Sequence, residues 1–241
     1  MVMRSPIDTG FDVCEDARGK DPDAHSPILR RYHRLLWGKS LPSKAVFDLD
    51  DRLHHVSELG DFWLSSDAIT NTYRSWRRPT QIAAVVDQVP EAEVKAFYDL
   101  GCTIGAYVVF PYPVQVDGMW QRSINQERGT KREIRDRFDL TLECIRRHYL
   151  GERSPLETLA LHSDFFHLFG DFRGYVDHFL LNDLVDDDTG TIRFYLPFDG
   201  FERDALPTSA EEYHEVMRRS TDFVRARNER IAQYADSHLD H

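Results

Sequence analysis

Apolar residues recur at helical spacing over much of the chain, and shorter apolar runs separate these stretches. Ser26 and Pro27 are typical of an N-cap and a first helical residue, so a short helix is predicted to begin there. A second helix is predicted over 90–101, and Ser209 forms a capping box with Glu212 before a long C-terminal helix. Helices therefore account for most of the regular structure that the pattern predicts.

Shorter apolar segments have the composition of strands. The run over 103–110 is β-branched and continuous enough for a central strand. Further short strands are predicted over 44–49, 61–66 and 191–196. Residues 67–78 are predicted to form a helix that Pro79 stops. This order favours an α+β fold, predominantly helical, around a small mixed β-sheet.

The middle of the chain joins a polar loop to two strongly patterned helices. A loop over 112–129 precedes a capping box of Thr130 with Glu133, which predicts a helix over 131–150. The stretch 172–185 is apolar around nearly its whole circumference. We therefore expect a helix there that lies at the centre of the protein.

The chain is predicted to be one domain over 1–241, with an irregular lead-in over 1–25, because it contains no internal repeat, low-complexity tract or linker. The sequence contains no apolar run of about 20 residues and no apolar N-terminal segment, so neither a membrane span nor a signal peptide is predicted. Cys14, Cys102 and Cys144 are few, odd in number and far apart. They favour a reducing, cytoplasmic location and no disulfide framework.

Charge is unevenly distributed along the chain. The net charge is −11, which argues against extended nucleic-acid binding. Residues 122–153 nevertheless hold nine basic and six acidic side chains, so this segment carries +3. Such a basic island is suited to a small anion such as a nucleotide phosphate. It is more typical of an exposed helix with ion pairs at i,i+4 spacing.

Several long motifs resemble a family of bacterial and phage-associated proteins of unknown function. They are Ser-Ile-Asn-Gln-Glu-Arg-Gly at 123–129, Asp-Arg-Phe-Asp-Leu-Thr-Leu-Glu-Cys-Ile-Arg-Arg-His-Tyr at 136–149, Phe-Arg-Gly-Tyr-Val-Asp-His-Phe-Leu-Leu-Asn-Asp-Leu-Val at 172–185, and Gly-Lys-Asp-Pro at 19–22. The resemblance covers nearly the whole chain. It implies no activity, cofactor or catalytic residue.

Some charged residues fall where the helical pattern predicts burial. Arg137 and His148 line the edge of the apolar stripe of the helix over 131–150. Asp183 follows Phe179 by four residues on the apolar helix over 172–185. A buried arginine seeks a carboxylate or phosphate, and a buried carboxylate must be paired or protonated. Each of these groups is therefore expected to have a partner.

These residues lead to a hypothesis about a binding site. Arg137, His148 and Asp183 would face one cleft, with Asn125 and Arg128 as its floor. The arginines would hold an anionic group, His148 or Asp183 would move a proton, and Asn125 would orient the substrate. Trp120, in the preceding loop, could stack on a base. The alternative is a structural ion pair that fixes helix register.

Two classes of function stay open from the sequence. One is an enzyme or binding protein for a phosphate-bearing small molecule or nucleotide. The other is a non-catalytic interaction protein of phage or mobile-element origin that engages a host protein. No catalytic signature is recognisable, the cysteines lack zinc-binding spacing, and neither a cofactor nor a metal is predicted. A pocket lined by Asn125, Arg128 and Arg137 would favour the first class, and an exposed apolar patch would favour the second.

Overall fold

The computed structural model describes residues 5–74 and 80–239 and has an α+β architecture. The α-helices are α1 (Val13–Asp16), α2 (Pro22–His25), α3 (Pro27–Trp37), α4 (Thr80–Val86), α5 (Glu91–Gly101), α6 (Ile124–Thr130), α7 (Phe138–Tyr149), α8 (Ser163–His167), α9 (Phe172–His178) and α10 (Ala210–His238). The strands are β1 (His54–Ser57), β2 (Gly60–Ala68), β3 (Tyr107–Pro111), β4 (Gln115–Val116) and β5 (Met119–Trp120). Short 3₁₀ helices cover Ile104–Ala106, Glu157–His162 and Asn182–Leu184.

The main sheet is small and antiparallel rather than mixed. Its order is β1–β2–β3, with His54 opposite Trp63 and Asp67 opposite Val108. Strand β3 was predicted to be central, but it lies at the end of this order. It is still fully buried because α6 and the 3₁₀ turn packed against α10 surround it. Strands β4 and β5 form a separate hairpin.

The helix predictions at the two ends of the chain are confirmed. Ser26 accepts a hydrogen bond from the amide of Leu29 at the start of α3, and Ser209 caps α10 by accepting from the amide of Glu212. Helix α5 likewise follows Pro90. The irregular lead-in is wrong in part, since α1 and α2 form there. Each has an aspartate N-cap, which a search for long apolar stripes does not detect.

Several predicted elements in the middle of the chain are wrong. Residues 44–49 and 191–196 contribute only isolated bridges, Ser40 with Val46 and Val185 with Ile192. The helix over 67–78 is replaced by the end of β2 and an irregular segment up to Arg74, and 75–78 lie outside the described residues. The helix over 172–185 is broken after His178, where Leu180 has a φ of 54°.

The predicted 131–150 helix begins only at Phe138, because Arg135 and Asp136 have φ values of 47° and 67°. No Thr130–Glu133 capping box forms. The predicted loop over 112–129 instead contains the β4–β5 hairpin and α6, whose capping box joins Ser123 and Gln126. Tertiary partners of 135 and 136, described below, outweigh local helical preference here.

Contrary to the sequence expectation, Cys14 and Cys102 form a disulfide across 88 residues of sequence. Helix α1 lies against the end of α5, where the Val13 amide donates to the Cys102 carbonyl at 2.9 Å. The spacing of the two cysteines in the sequence does not predict this contact. Cys144 is a free, buried thiol.

Helix α10 is joined to the main core by buried hydrogen bonds. Its Arg227 is fully buried and donates to the carbonyl groups of Gly105, Tyr107 and Phe179 at 2.8–3.0 Å. The neighbouring Asn228 accepts a hydrogen bond from the amide of Gly105. Across residues 5–74 and 80–239, none of the helices has the length and apolar character that crossing a bilayer requires.

Candidate functional site

Helix α6 carries an arginine into the space between β2 and the start of α7. Ser123 and Gln126 form the capping box that begins the helix, and Ile124 is buried beneath it. Arg128, one turn further along, is also fully buried. A buried guanidinium keeps its charge, so it needs partners on all sides.

Protein groups surround all three nitrogens of Arg128. Its Nε donates to Thr141 Oγ1 at 3.3 Å and its Nη2 to the Asp136 carbonyl at 3.1 Å. Its Nη1 donates to Asp67 Oδ2 at 2.6 Å and to the Ala68 carbonyl at 3.3 Å, and it lies 2.9 Å from Asp136 Oδ1. The guanidinium therefore binds two carboxylates from distant parts of the chain, both of them through Nη1.

The two carboxylates are the open part of this cluster. The side chains of Asp67 and Asp136 retain 32% and 28% exposure, whereas Arg128 has none. Loss of hydration raises the pKa of Asp67 to about 6, Arg128 opposes this change, and repulsion from Asp136 adds to it. A carboxyl with this pKa can give or take a proton near neutral pH.

Strained backbone positions Asp136. Arg135 and Asp136 have left-handed conformations, and so does Tyr73, with a φ of 52°. The Tyr73 hydroxyl donates to the Arg135 carbonyl at 2.6 Å, and Asn71 Nδ2 donates to Asp136 Oδ2 at 3.0 Å. A left-handed conformation costs a non-glycine residue about 1–2 kcal/mol. The contacts with 71–73 therefore compensate for strain that places a carboxylate beside Arg128.

Asn125 borders the same cluster. It precedes Arg128 by three residues on α6, and its Nδ2 donates to Ser65 Oγ at 3.3 Å. Ser65 and Asp67 lie on the same face of β2 because strand residues alternate between faces. Asn125 Oδ1 is buried without a hydrogen-bond partner among the described residues. We call the set of Ser65, Asp67, Asn125, Arg128 and Asp136 the Arg128 cluster.

The other arginine of the sequence hypothesis points elsewhere. Arg137 is buried and binds both carboxylate oxygens of Asp139, which also accepts from the amide of Tyr195 at 2.8 Å. It lines a separate cleft of about 300 Å³ with Glu133, Arg203 and other residues. Its carbonyl accepts from Thr141, whose hydroxyl also accepts from Arg128 Nε.

The remaining predicted site residues are dispersed. Asp183 pairs with Arg230 of α10 at 2.8 Å, so it has a partner, as expected, but a different one from Arg137. His148 packs on Phe166, and burial lowers its pKa. Trp120 is 68% exposed at the β4–β5 hairpin. The structure therefore brings together Asn125 and Arg128 and gives the other four separate surroundings.

Sequence reasoning missed Asp67, Asp136 and Asn71. Asp67 fell within a predicted helix, where its alternation with Trp63 and Ser65 along one strand face was not recognised. Asp136 fell within the predicted 131–150 helix, which begins only at Phe138. The one usable signal was the alternation of apolar Phe62 and Leu64 with Asp61, Trp63 and Ser65, which continues to Asp67 on the same face.

Comparison with known proteins gives a family and no activity. No curated protein matches the chain, and no solved structure does. Residues 7–231 match a family described as of unknown function, DUF6994. This match covers all elements from α1 to most of α10, including the Arg128 cluster. The chain therefore belongs to the DUF6994 family of unknown function.

Proposed function

We propose that the chain binds a small polar molecule rich in hydrogen-bond donors at the Arg128 cluster, and that Asp67 exchanges a proton with it. One observation carries the proposal: Arg128 directs every nitrogen at protein groups, whereas both carboxylates that it holds keep an exposed surface. The buried guanidinium therefore presents two carboxylates to the outside.

The net charge of the cluster and its acceptors without partners indicate which class of ligand it is suited to bind. Two carboxylates and one guanidinium leave a net charge of −1, and the groups without a full set of partners are acceptors, including Asn125 Oδ1. Amines, guanidines and polyhydroxylated molecules supply donors for such groups. The pKa of Asp67, near 6, makes it the group that is suited to general acid or base catalysis.

The backbone supports a functional interpretation. Tyr73, Arg135 and Asp136 all have left-handed conformations, and all lie in or against the cluster. Strain of this kind persists where the surrounding structure overrides local preference, and it concentrates at binding and catalytic sites.

A ligand screen tests the proposal directly. Thermal unfolding is followed with panels of amines, guanidines, polyols, sugar phosphates and nucleotides, since a ligand that binds the native state raises Tm. Donor-rich probes should raise Tm for the wild type and fail to do so for Asp67→Asn and Asp136→Asn. Asp117→Asn, an exposed aspartate of the β4–β5 turn, is the matched control and should respond as the wild type does. A response that is unchanged in Asp67→Asn would refute the assignment.

The phosphate or nucleotide ligand expected from the sequence stays a prediction, and the phosphate panels test it. Arg128 and Arg137 are each already engaged by carboxylates. An anion at either arginine would have to replace a carboxylate, so this geometry favours donor-rich ligands over anions.

A second candidate function is protein interaction, because the β4–β5 hairpin exposes several large apolar side chains. Met119 and Trp120 are each 68% exposed on β5, and Val116, opposite Met119 on β4, is 39% exposed. Soluble monomers rarely expose such groups together. A photo-crosslinking residue at position 119 should then form a specific adduct in the native cell, whereas the same residue at exposed position 58 should not. Equal labelling at both positions would remove this candidate.

A further inference from the structure

The cysteine pair that joins α1 to α5 has a carboxylate beside it. Asp12 is the N-cap of α1, Cys14 lies in its first turn, and Cys102 follows the last residue of α5. One ligand atom from each of the three lies within 4.8 Å of the others. Thiolates at about 2.3 Å and a carboxylate oxygen at about 2.0–2.2 Å are the distances that tetrahedral Zn²⁺ requires, so three ligand atoms this close need only small shifts to share an ion.

The backbone keeps these groups together without the sulfur–sulfur bond. The Val13 amide donates to the Cys102 carbonyl at 2.9 Å, directly between the two cysteines. Asp12 accepts from the amide of Glu15 at 2.9 Å, which fixes the carboxylate at the helix start. Opening the disulfide therefore leaves the three side chains on a framework that is held by main-chain contacts.

Both cysteines line one cavity, in which Cys14 is half-buried and Cys102 is buried. A cavity of about 230 Å³ is lined by both cysteines together with Lys20, Gly101 and Tyr107. The Tyr107 hydroxyl lies 3.6 Å from Cys14 Sγ and would donate to a thiolate there, as outer groups do at metal centres. The cavity provides room for a solvent ligand at the fourth position of a tetrahedral ion.

We propose that the reduced Cys14–Cys102 pair, with Asp12, binds one Zn²⁺ ion. A thiol or phosphine reductant supplies two electrons that open the disulfide, each sulfur takes up one proton, and the reductant is oxidised. Binding of Zn²⁺ then releases both thiol protons, because the thiolate is the ligand. The disulfide and the metal site are alternative states of the same two sulfurs.

Titration with Co²⁺ in place of Zn²⁺ tests the proposal on the full chain reduced with a phosphine. The reduced wild type should bind one equivalent with the thiolate-to-metal absorption of a tetrahedral sulfur site, and excess Zn²⁺ should remove that absorption. The oxidised protein should show none. Asp12→Asn should weaken binding at least tenfold, as expected when an anionic ligand is replaced by a neutral one.

Cys14→Ser should abolish the absorption, and Cys144→Ala is the matched control. Cys144 is buried, and burial raises the pKa of its thiol to about 12, so it is unsuited to bind metal and its loss should change nothing. Absence of the absorption in the reduced wild type overturns the proposal whether or not any variant folds. Equal binding by Cys14→Ser overturns it as well.

Discussion

Arg128 and Arg227 are both without solvent exposure, but they differ in their partners and in the direction in which their pKa is shifted. Burial alone would lower the pKa of Arg128, but Asp136 and Asp67 outweigh burial and raise it. Arg227 has no carboxylate within ion-pair distance among the described residues, and burial lowers its pKa to about 9. Its partners are three backbone carbonyls and the face of Trp37, 5.6 Å away.

The difference separates a structural role from a site. Arg227 ties α10 to the start of β3 and the end of α9, and its partners are main-chain atoms that no ligand could replace. Arg128 holds side-chain carboxylates whose outer surfaces meet solvent. A buried ion pair by itself is weak evidence of stability, whereas backbone groups left without partners are always costly. Substitution of Arg227 should therefore change mainly the stability of the protein, whereas substitutions in the Arg128 cluster should change mainly its response to ligands.

The largest effect is expected from Arg227→Met. This change leaves three carbonyl groups unsatisfied inside the core, so the free energy of unfolding should fall by about 3–5 kcal/mol. Urea unfolding at pH 8 measures it, where His33 is neutral in both the folded and the unfolded protein. A loss below about 1 kcal/mol would show that Arg227 is not the structural member of the comparison.

Arg128→Met should cost less, and its cost should depend on pH. The two uncovered carboxylates are partly hydrated, so we expect a loss of about 1–3 kcal/mol near pH 8. Without the cation, the pKa of Asp67 should rise further above the unfolded value of 3.8. The folded state then binds a proton more readily than the unfolded chain, so stability should recover as pH falls through that raised pKa. Urea unfolding at pH 5 and pH 8 measures this, and a loss independent of pH would contradict it.

The surroundings of Arg227 should instead be sensitive to acid. Burial, with a contribution from the charge of Arg227, lowers the pKa of His33 to about 3, from 6.5 in the unfolded chain. The unfolded state alone takes up a proton in this interval, so stability is lost as pH falls below about 6.5. His33→Gln keeps an acceptor for Trp37 and should reduce that loss by about 1.4 kcal/mol per pH unit. The measurement is unfolding free energy from pH 7 to 4, and a slope that is the same in His33→Gln and in the wild type would contradict the prediction.

The sequence predicted local features of both regions and almost none of their partners. Apolar periodicity and caps predicted α3, α5 and α10, because those signals come from neighbouring residues. Arg128 and Asn125 were predicted to be site residues because they stand in the polar loop over 112–129, which is also a local feature of the sequence. The carboxylate of Asp67 lies 61 residues from Arg128 in sequence, and Arg227 reaches carbonyls 122 and 120 residues away. Contacts of that separation leave no spacing signal in a single sequence.

The break at 135–136 shows why the predicted helix failed. Thr130, Glu133 and the apolar stripe all favour helix through this segment, and local preference alone would continue it. Arg135 instead binds Asp204 at 2.7 Å, and Asp136 binds Arg128 and Asn71. These ion pairs and hydrogen bonds outweigh the strain of two residues in the left-handed conformation. The error in the helix prediction therefore falls at the candidate site, where local and tertiary preferences conflict.

The smallest change in stability should come from Asn125→Leu, and it gives the sharpest test of the comparison. The substitution removes a weak hydrogen bond to Ser65 at 3.3 Å, together with an acceptor that is already buried without a partner. Removing an unsatisfied polar group costs little, so the free energy of unfolding should change by less than about 1 kcal/mol. The rise in Tm with donor-rich ligands should nevertheless disappear. A variant that is strongly destabilised, or that still responds to the ligands, would mean that Asn125 belongs to the framework and leave only the carboxylates in the site.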